Sequence, residues 1–293
     1  MKTKAFLNLA RLDRPAGWLL LLWPTLSALW LVSGGFPGWR LFLIFTLGTF
    51  LMRIAGCCIN DVVDRKLDLH VARTAQRPVT IGEISTKEAL ACSVVLILLS
   101  FGLVLMTNLP TVVASVLALI LSIFYPFAKR FLSVPQAALG LAYSMGIPMA
   151  FVAVYGDHSP WYAAFTSPGI GIAWLMVLGN FFWVIAYDTQ YAMADKEDDL
   201  KLGIKTSAIT FGSYDTFIIV ICYILYLLIW SQAGFRLGAR WPYWIGLLAA
   251  TVLAFRCYTQ IEDRDPAKCY KAFTQNHWIG FAIFVGVVVS SFL

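Results

Sequence analysis

Charged residues are scarce in this chain. Asp, Glu, Lys and Arg make up 13% of its 293 residues, while 60% are hydrophobic. That excludes an ordinary water-soluble domain, whose charged fraction is about twice as large. Histidine is scarcer still: His70, His158 and His277 stand alone. Of the cysteines Cys57, Cys58, Cys92, Cys222, Cys257 and Cys269, five fall in or against apolar runs. They lack the paired Cys/His spacing of a zinc site and sit in no oxidising loop, so they read as reduced packing residues. No low-complexity stretch is present, and no segment between the apolar runs is long enough to form a second, soluble domain.

What the chain has instead is a series of apolar runs of membrane-spanning length. Nine are expected, at 16–33, 40–60, 88–107, 110–128, 134–154, 170–190, 214–233, 242–258 and 275–292. The fold class is therefore all-α, a polytopic membrane protein forming one domain over 1–293. The first run follows Lys2, Lys4, Arg11 and Arg14 and resembles a signal peptide in that respect. Its length, its tryptophans and the internal Pro24 favour an uncleaved first helix.

Basic residues sort by side. With the N-terminus inside, eighteen of the 22 Lys and Arg residues fall on inner segments. Only Arg40, Arg236 and Arg240 fall outside, and Arg53 lies within a span. This asymmetry puts the N-terminus in the cytoplasm and the C-terminus on the opposite side. The net charge of +6 thus reflects topology, with a possible share for an anionic substrate, and no nucleic-acid partner is implied.

Half of the sixteen acidic residues fall in two clusters, each at the cytoplasmic end of a span. The first holds Asn60, Asp61, Asp64 and Asp68; the second holds Asp188, Asp195, Glu197, Asp198 and Asp199. Asn60, Asp64 and Asp68 recur every four residues, as do Asp195 and Asp199, and Asp188 precedes Asp195 by seven, so each set shares a helix face. If the helices run on past the hydrocarbon edge, each presents a row of oxygens. Cations follow: Arg73 and Arg77 after the first cluster, Lys201 and Lys205 after the second. Carboxylates and cations gathered at one face suit a divalent metal holding a polyanion, most simply a diphosphate. A lone acidic cluster would read as a solvated juxtamembrane turn; two at equivalent positions do not. Their recurrence after spans two and six suggests an approximate repeat, 1–130 and 134–258, with a ninth helix added.

Arg53 lies inside the second span on roughly the face of Asn60. It can hold an anionic substrate through a bidentate contact, or balance the acids, or snorkel. Arg73, Arg77 and Lys129 are candidates for diphosphate oxygens, though each alone also reads as a positive-inside anchor. Arg14 is similarly ambiguous. The aromatic residues (11 Trp, 12 Tyr, 21 Phe) suit lipid-facing and interfacial positions, and some rings can shield a carbocation.

The two acidic motifs resemble the aspartate-rich motifs of the UbiA superfamily of intramembrane prenyltransferases. Further stretches look like its 4-hydroxybenzoate polyprenyltransferase branch: Leu12-Asp13-Arg14-Pro15-Ala16-Gly17, Leu22-Trp23-Pro24-Thr25, Arg53-Ile54-Ala55-Gly56-Cys57, Tyr125-Pro126-Phe127-Ala128-Lys129-Arg130, Tyr187-Asp188-Thr189-Gln190-Tyr191-Ala192-Met193, Gly203-Ile204-Lys205-Thr206 and Lys271-Ala272-Phe273. A departure stands at Tyr143-Ser144-Met145-Gly146, where relatives often carry a Trp. The resemblance implies a cavity open to the cytoplasm and laterally to lipid, with Mg²⁺ held by Asn60, Asp64, Asp68, Asp195 and Asp199. It implies substrate contacts from Arg73, Arg77, Lys129, Tyr191 and Lys205, with Arg53 taking the acceptor's carboxylate. Asp188 would assist phenol deprotonation or the metal shell. The implied substrates are polyprenyl diphosphate and 4-hydroxybenzoate, joined in an early step of ubiquinone synthesis at membrane lipid. The implied location is a bacterial inner membrane with a periplasmic C-terminus, or a mitochondrial inner membrane in a eukaryote.

Two other readings compete. A transporter carries its charges near the bilayer midplane beside broken helices, whereas these acids lie at helix ends. A sister prenyltransferase acting on homogentisate, naphthoate or haem is separated only by the Tyr187–Met193 stretch and the context of Arg53.

Overall fold

The computed structural model describes residues 2–128, 130–156 and 160–293. Among them the chain is all-helical, with nine segments long and apolar enough to cross a membrane. A short amphipathic helix, α1 (Lys2–Leu9), precedes the first span, α2 (Ala16–Ser33). The second span, α3 (Trp39–Val63), runs into a single turn, α4 (Arg65–Asp68). Spans three and four are α5 (Thr86–Val104) and α6 (Leu109–Ala128), and the fifth is broken into α7 (Gln136–Ser144) and α8 (Gly146–Tyr155). The sixth, α9 (Pro168–Ala194), leads into α10 (Lys196–Leu202) and the turn α11 (Ser207–Phe211). The remaining spans are α12 (Asp215–Arg236), α13 (Trp241–Ile261) and the broken ninth, α14 (Pro266–Gln275) with α15 (His277–Ser290).

Local sequence accounts for most boundaries. Ser85 and Glu88 form a reciprocal capping box at the start of α5. Pro168, Pro242 and Pro266 occupy first turns, where a missing N–H costs nothing. Pro148 has no N–H for the carbonyl of Ser144, which accounts for the break between α7 and α8.

Both acidic motifs sit on breaks. The expected uninterrupted rows do not form: α3 stops at Val63 and α9 at Ala194, and Asp64 and Asp195 are the hinge residues. Their backbones are nearly identical, φ −90° and ψ −1° for Asp64 and φ −103° and ψ 3° for Asp195. Four-residue hydrogen bonding survives across each kink, from Asp68 N–H to the Asp64 carbonyl (2.9 Å) and from Asp199 N–H to the Asp195 carbonyl (3.0 Å). The carboxylates therefore keep their register while the chain bends. The ninth span also differs from expectation. It begins at Pro266, because α14 is an amphipathic helix whose lysines disguise it as loop.

The core lies between spans, where Trp183, Tyr187, Tyr226, Trp230 and Tyr243 are fully buried. The rings of Trp183 and Tyr226 stack at 5.1 Å. A smaller cluster clamps α1 across α3 and α5 through Ala5, Leu9, Cys58 and Ala89. At the α14–α15 break, buried Asn276 accepts from Trp183 Nε1 (3.2 Å) and the Tyr223 hydroxyl (2.8 Å) and donates to Gln190 Oε1 (2.8 Å). Gln190 closes the ring by donating to Tyr223 (2.7 Å). Every member is satisfied, which ties spans six, seven and nine together. Asn276→Ala leaves Trp183, Tyr223 and Gln190 short of partners in an apolar interior. It should cost about 1–3 kcal/mol, read as a lower melting temperature of the detergent-solubilised protein. An unchanged melting temperature would mean the ring is not what joins these spans.

Candidate active site

A cavity of about 440 Å³ opens where the two breaks face one another. Asn60, Asp61, Asp64 and Asp68 line it from the first motif, and Asp188, Tyr191, Asp195 and Asp199 from the second. Arg53, Arg73, Arg77 and Lys205 line it as well. All the expected site residues thus share one cavity except Lys129, which lies outside the described residues.

The buried acids are matched by arginines. Asp61, 1% exposed, accepts from Arg11 Nη2 (2.5 Å) and faces Arg77 Nη1 at 3.1 Å. Arg77 Nη1 also reaches Asp68 at 2.7 Å. Arg73 grips Asp195 with two parallel bonds, Nε to Oδ1 (3.1 Å) and Nη2 to Oδ2 (2.5 Å), across the two halves of the chain. This fork is the strong geometry of a guanidinium with a carboxylate. The same guanidinium stacks on Tyr191, 4.1 Å from the ring centre, with Tyr270 at 5.3 Å. A second cross-link joins Ala72 N–H to Asp198 (3.1 Å), which with Lys201 draws that carboxyl below its ordinary range. Burial pushes the Asp68 carboxyl above the ordinary carboxylate range; Arg77 works against this, while Asp64 and Asp61 add to it.

Arg53 lies deeper. Its Nε donates to the Gly17 carbonyl (3.2 Å), and its guanidinium is 5.9 Å from the Tyr143 ring centre. Gly17 is what makes room for it, because a Cβ there would stand 2.9 Å from Arg53 Nη2. Tyr125, Tyr143, Tyr187 and Phe273 complete an aromatic wall around this inner half.

The pairing of Arg11 with buried Asp61 went unrecognised in the sequence. Arg11 reaches the site because its backbone takes the left-handed region (φ 54°) between α1 and α2, which a non-glycine residue rarely does. Only Arg264 repeats this among the described non-glycine residues (φ 57°), and it too grips a fully buried aspartate, Asp215, at 2.8 Å. The available signal was the i, i+3, i+7 spacing of Asp61, Asp64 and Asp68.

Among the described residues, no three Asp, Glu, His or Cys side chains converge into a ready-made metal cage. Mg²⁺ does not require one, because it takes one or two carboxylates and completes its shell with water and substrate phosphates. An all-oxygen donor set spread over two facing breaks fits that habit.

Among the described residues, nine candidate membrane spans enclose an acidic, arginine-lined cavity, the arrangement of an integral membrane protein with a buried polar site. Residues 21–282 match the family model of the UbiA prenyltransferase family, and the chain belongs to that family. It is 54% identical to a 4-hydroxybenzoate octaprenyltransferase of Albidiferax ferrireducens, with 97% of this chain and 93% of that one covered. The corresponding protein of Paracidovorax citrulli is 55% identical, with 97% and 92% covered. Among solved structures, a UbiA homolog from Aeropyrum pernix K1 shares the fold at a TM-score of 0.81 and 20% identity, covering 92% of this chain and 97% of that one. A UbiA homolog from Archaeoglobus fulgidus bound to GPP and Mg²⁺ aligns at 0.65 and 19%, covering 97% and 99%.

The Arg11–Asp61 pair yields a direct test. Removing Arg11 leaves buried Asp61 with Arg77 as its remaining cation among the described residues, and removing Asp61 takes the carboxylate from part-buried Arg11, at about 1–3 kcal/mol each. Arg11→Ala and Asp61→Asn should each destabilise the protein and lower turnover. Together they should cost less than the sum of the single losses, with a coupling of about 1–3 kcal/mol. Additive effects on unfolding would show that the two side chains act separately.

Proposed function

We propose that this protein transfers the prenyl group of a polyprenyl diphosphate to 4-hydroxybenzoate, at the ring carbon ortho to the hydroxyl, as a membrane step of ubiquinone biosynthesis. One observation carries the assignment of roles: both acidic breaks and the guanidinium of Arg53 line a single cavity. The names of relatives more than half identical over nearly the whole chain support the reaction.

The roles follow from depth. Asp64 and Asp195 mark the mouth, Asp188 lies about 10 Å further in along α9, and Arg53 about 16 Å inward from Asp64 along α3, at ~1.5 Å per residue. On this reading Asn60, Asp64, Asp68, Asp195 and Asp199 hold Mg²⁺, which when bound neutralises the diphosphate and assists its departure. Arg73, Arg77 and Lys205 stand where a departing diphosphate needs donors, and Lys129 adjoins that end of α6 in sequence. The C–O bond of the allylic diphosphate breaks, and the electron pair leaves with the phosphate. The resulting allylic cation sits among Tyr125, Tyr143 and Tyr187, whose ring faces attract it. Arg53 grips the acceptor's carboxylate, which turns the phenolic oxygen toward Asp188, the carboxylate that takes its proton. The ring carbon then attacks, and loss of its hydrogen as a proton restores aromaticity. The matching kinks at Asp64 and Asp195 support reading 1–130 and 134–258 as two copies of a four-helix unit joined by a ninth helix. The basic-residue asymmetry supports a bacterial inner membrane with this mouth in the cytoplasm.

Three results test the assignment. Membranes containing the protein, given Mg²⁺, 4-hydroxybenzoate and a polyprenyl diphosphate, should yield 3-polyprenyl-4-hydroxybenzoate by mass. A product only with homogentisate or a naphthoate would transfer the protein to a sister reaction. EDTA should abolish turnover and Mg²⁺ restore it, whereas full activity in chelator would remove the metal from the account. Arg53→Lys keeps the charge but loses the planar fork. It should reduce kcat/KM for the acceptor by about 1.5–3 kcal/mol, or about ten- to a hundredfold, and leave KM for the diphosphate nearly unchanged. A normal acceptor KM in this variant would return Arg53 to a structural role.

A further inference from the structure

Asp215, the first residue of α12, is fully buried and does not line the cavity. Arg264, from the loop between α13 and α14, donates to it from Nε (3.0 Å) and Nη2 (2.8 Å), and to the Ser213 carbonyl (2.9 Å). The Thr216 N–H donates to it as well (2.7 Å). These contacts seat the start of span seven, and a carboxylate is favoured at a helix N-terminus. They do not account for a further partner. Lys196 Nζ donates to Asp215 Oδ2 (3.2 Å) and to the Gly212 carbonyl (3.3 Å). Lys196 opens α10 and directly follows the hinge residue Asp195, yet it too is absent from the cavity wall. Its charge is spent on Asp215.

We propose that Asp215 is a positioning residue for the second acidic motif, acting through Lys196 on the break at Asp195. The proposal rests on the reading that Asp195 and Asp199 hold Mg²⁺, and adds what keeps their break in shape. Ala194-Asp195-Lys196 contains no proline or glycine to enforce a kink, so side chains must hold it. Two consecutive residues do so. The Asp195 carboxylate is gripped by Arg73 from the first motif's loop, and the Lys196 ammonium by Asp215 at the start of span seven. Successive side chains on a helix point about 100° apart, so the two tethers pull in different directions and fix the rotation of the chain between them. If Asp195 turns from Arg73 to a metal ion, the first tether is given up and the second remains. Groups that orient a metal-ligating carboxylate in this way matter nearly as much as the ligand itself. Arg264 makes the anchor firm. Its backbone takes the left-handed region (φ 57°), which arginine rarely adopts, and its two donors fix Asp215 on the side away from Lys196's own bond to Oδ2.

The test uses the full chain in nanodiscs and follows its thermal stabilisation by Mg²⁺ in the presence of inorganic diphosphate. Lys196→Met cuts the tether while Asp215 keeps Arg264. The Mg²⁺ midpoint should rise about tenfold, the low end for loss of a group that orients a metal ligand, and Lys196→Arg should restore it. The sign is diagnostic. Losing a cation beside the acids would by itself draw Mg²⁺ in more tightly, so an unchanged or lower midpoint would overturn the proposal. Arg264→Met takes a cation from Asp215 but leaves the tether; it should lower the melting temperature without moving the Mg²⁺ midpoint. Equal midpoint shifts in the two variants would reduce Asp215 to a structural ion pair and overturn the proposal. Hydrogen exchange of the metal-free protein reads the break apart from metal and reaction. The amides of α10 should exchange faster in Lys196→Met than in wild type or Arg264→Met. Unchanged exchange contradicts the proposal. A wild-type protein that shows the exchange pattern but no response to Mg²⁺ would instead remove the metal from the account and leave the tether standing.

Discussion

Carboxylates withdrawn from water at the end of an apolar bundle must find opposite charge, and the site is organised around that need. Asp61, Asp64 and Asp68 are all nearly inaccessible to solvent, as is Asp199. An unpaired charge in such surroundings costs several kcal/mol. The chain meets the cost by bringing cations in from outside the spans. Arg11 arrives through a left-handed corner after α1, and Arg73 and Arg77 from the loop after α4. The fork of Arg73 on Asp195 joins the first motif's loop to the second motif. On the proposed reading these guanidiniums hold the pocket together until metal and diphosphate arrive, and they are already aimed at the oxygens that replace the carboxylates.

The cavity system is graded in the way an amphiphilic substrate is. Carboxylates and arginines occupy the mouth, a layer of tyrosines comes next, with Arg53 embedded in it, and beyond Tyr143 the walls become apolar. A diphosphate head, an allylic carbon and a polyisoprenoid tail call for those three environments in that order. This gradation explains why a reaction between polar groups is housed in a membrane-spanning bundle. On the proposed reading the tail never has to leave lipid, and the cation forms away from bulk water, where ring faces and fixed charges act at lower dielectric.

Much of this was legible in the sequence, for definite reasons. Span number and approximate limits follow from apolar length alone, which is why all nine runs reappear. Fourfold spacing picked out Asn60, Asp64, Asp68, Asp195 and Asp199, because helical register survives a kink. The kinks themselves were hidden, since Val63-Asp64-Arg65 and Ala194-Asp195-Lys196 contain neither proline nor glycine. Arg11 was hidden because its entry depends on a backbone conformation that arginine rarely adopts. The Arg73–Asp195 bond joins residues 122 positions apart, and no local pattern encodes such a pairing. α14 was lost to its own amphipathicity, since Lys268 and Lys271 made a membrane-end helix look like loop.

The central claim is that the two breaks act as one device on one diphosphate. The most direct measurement is a double-mutant cycle on turnover with Asp64→Asn and Asp195→Asn, each checked for membrane insertion. If both carboxylates serve the same metal–diphosphate assembly, either substitution alone should remove most of the activity and the pair should lose little more, a strongly non-additive result. Free-energy losses that simply add would mean that the two motifs work at separate sites, and would contradict the account.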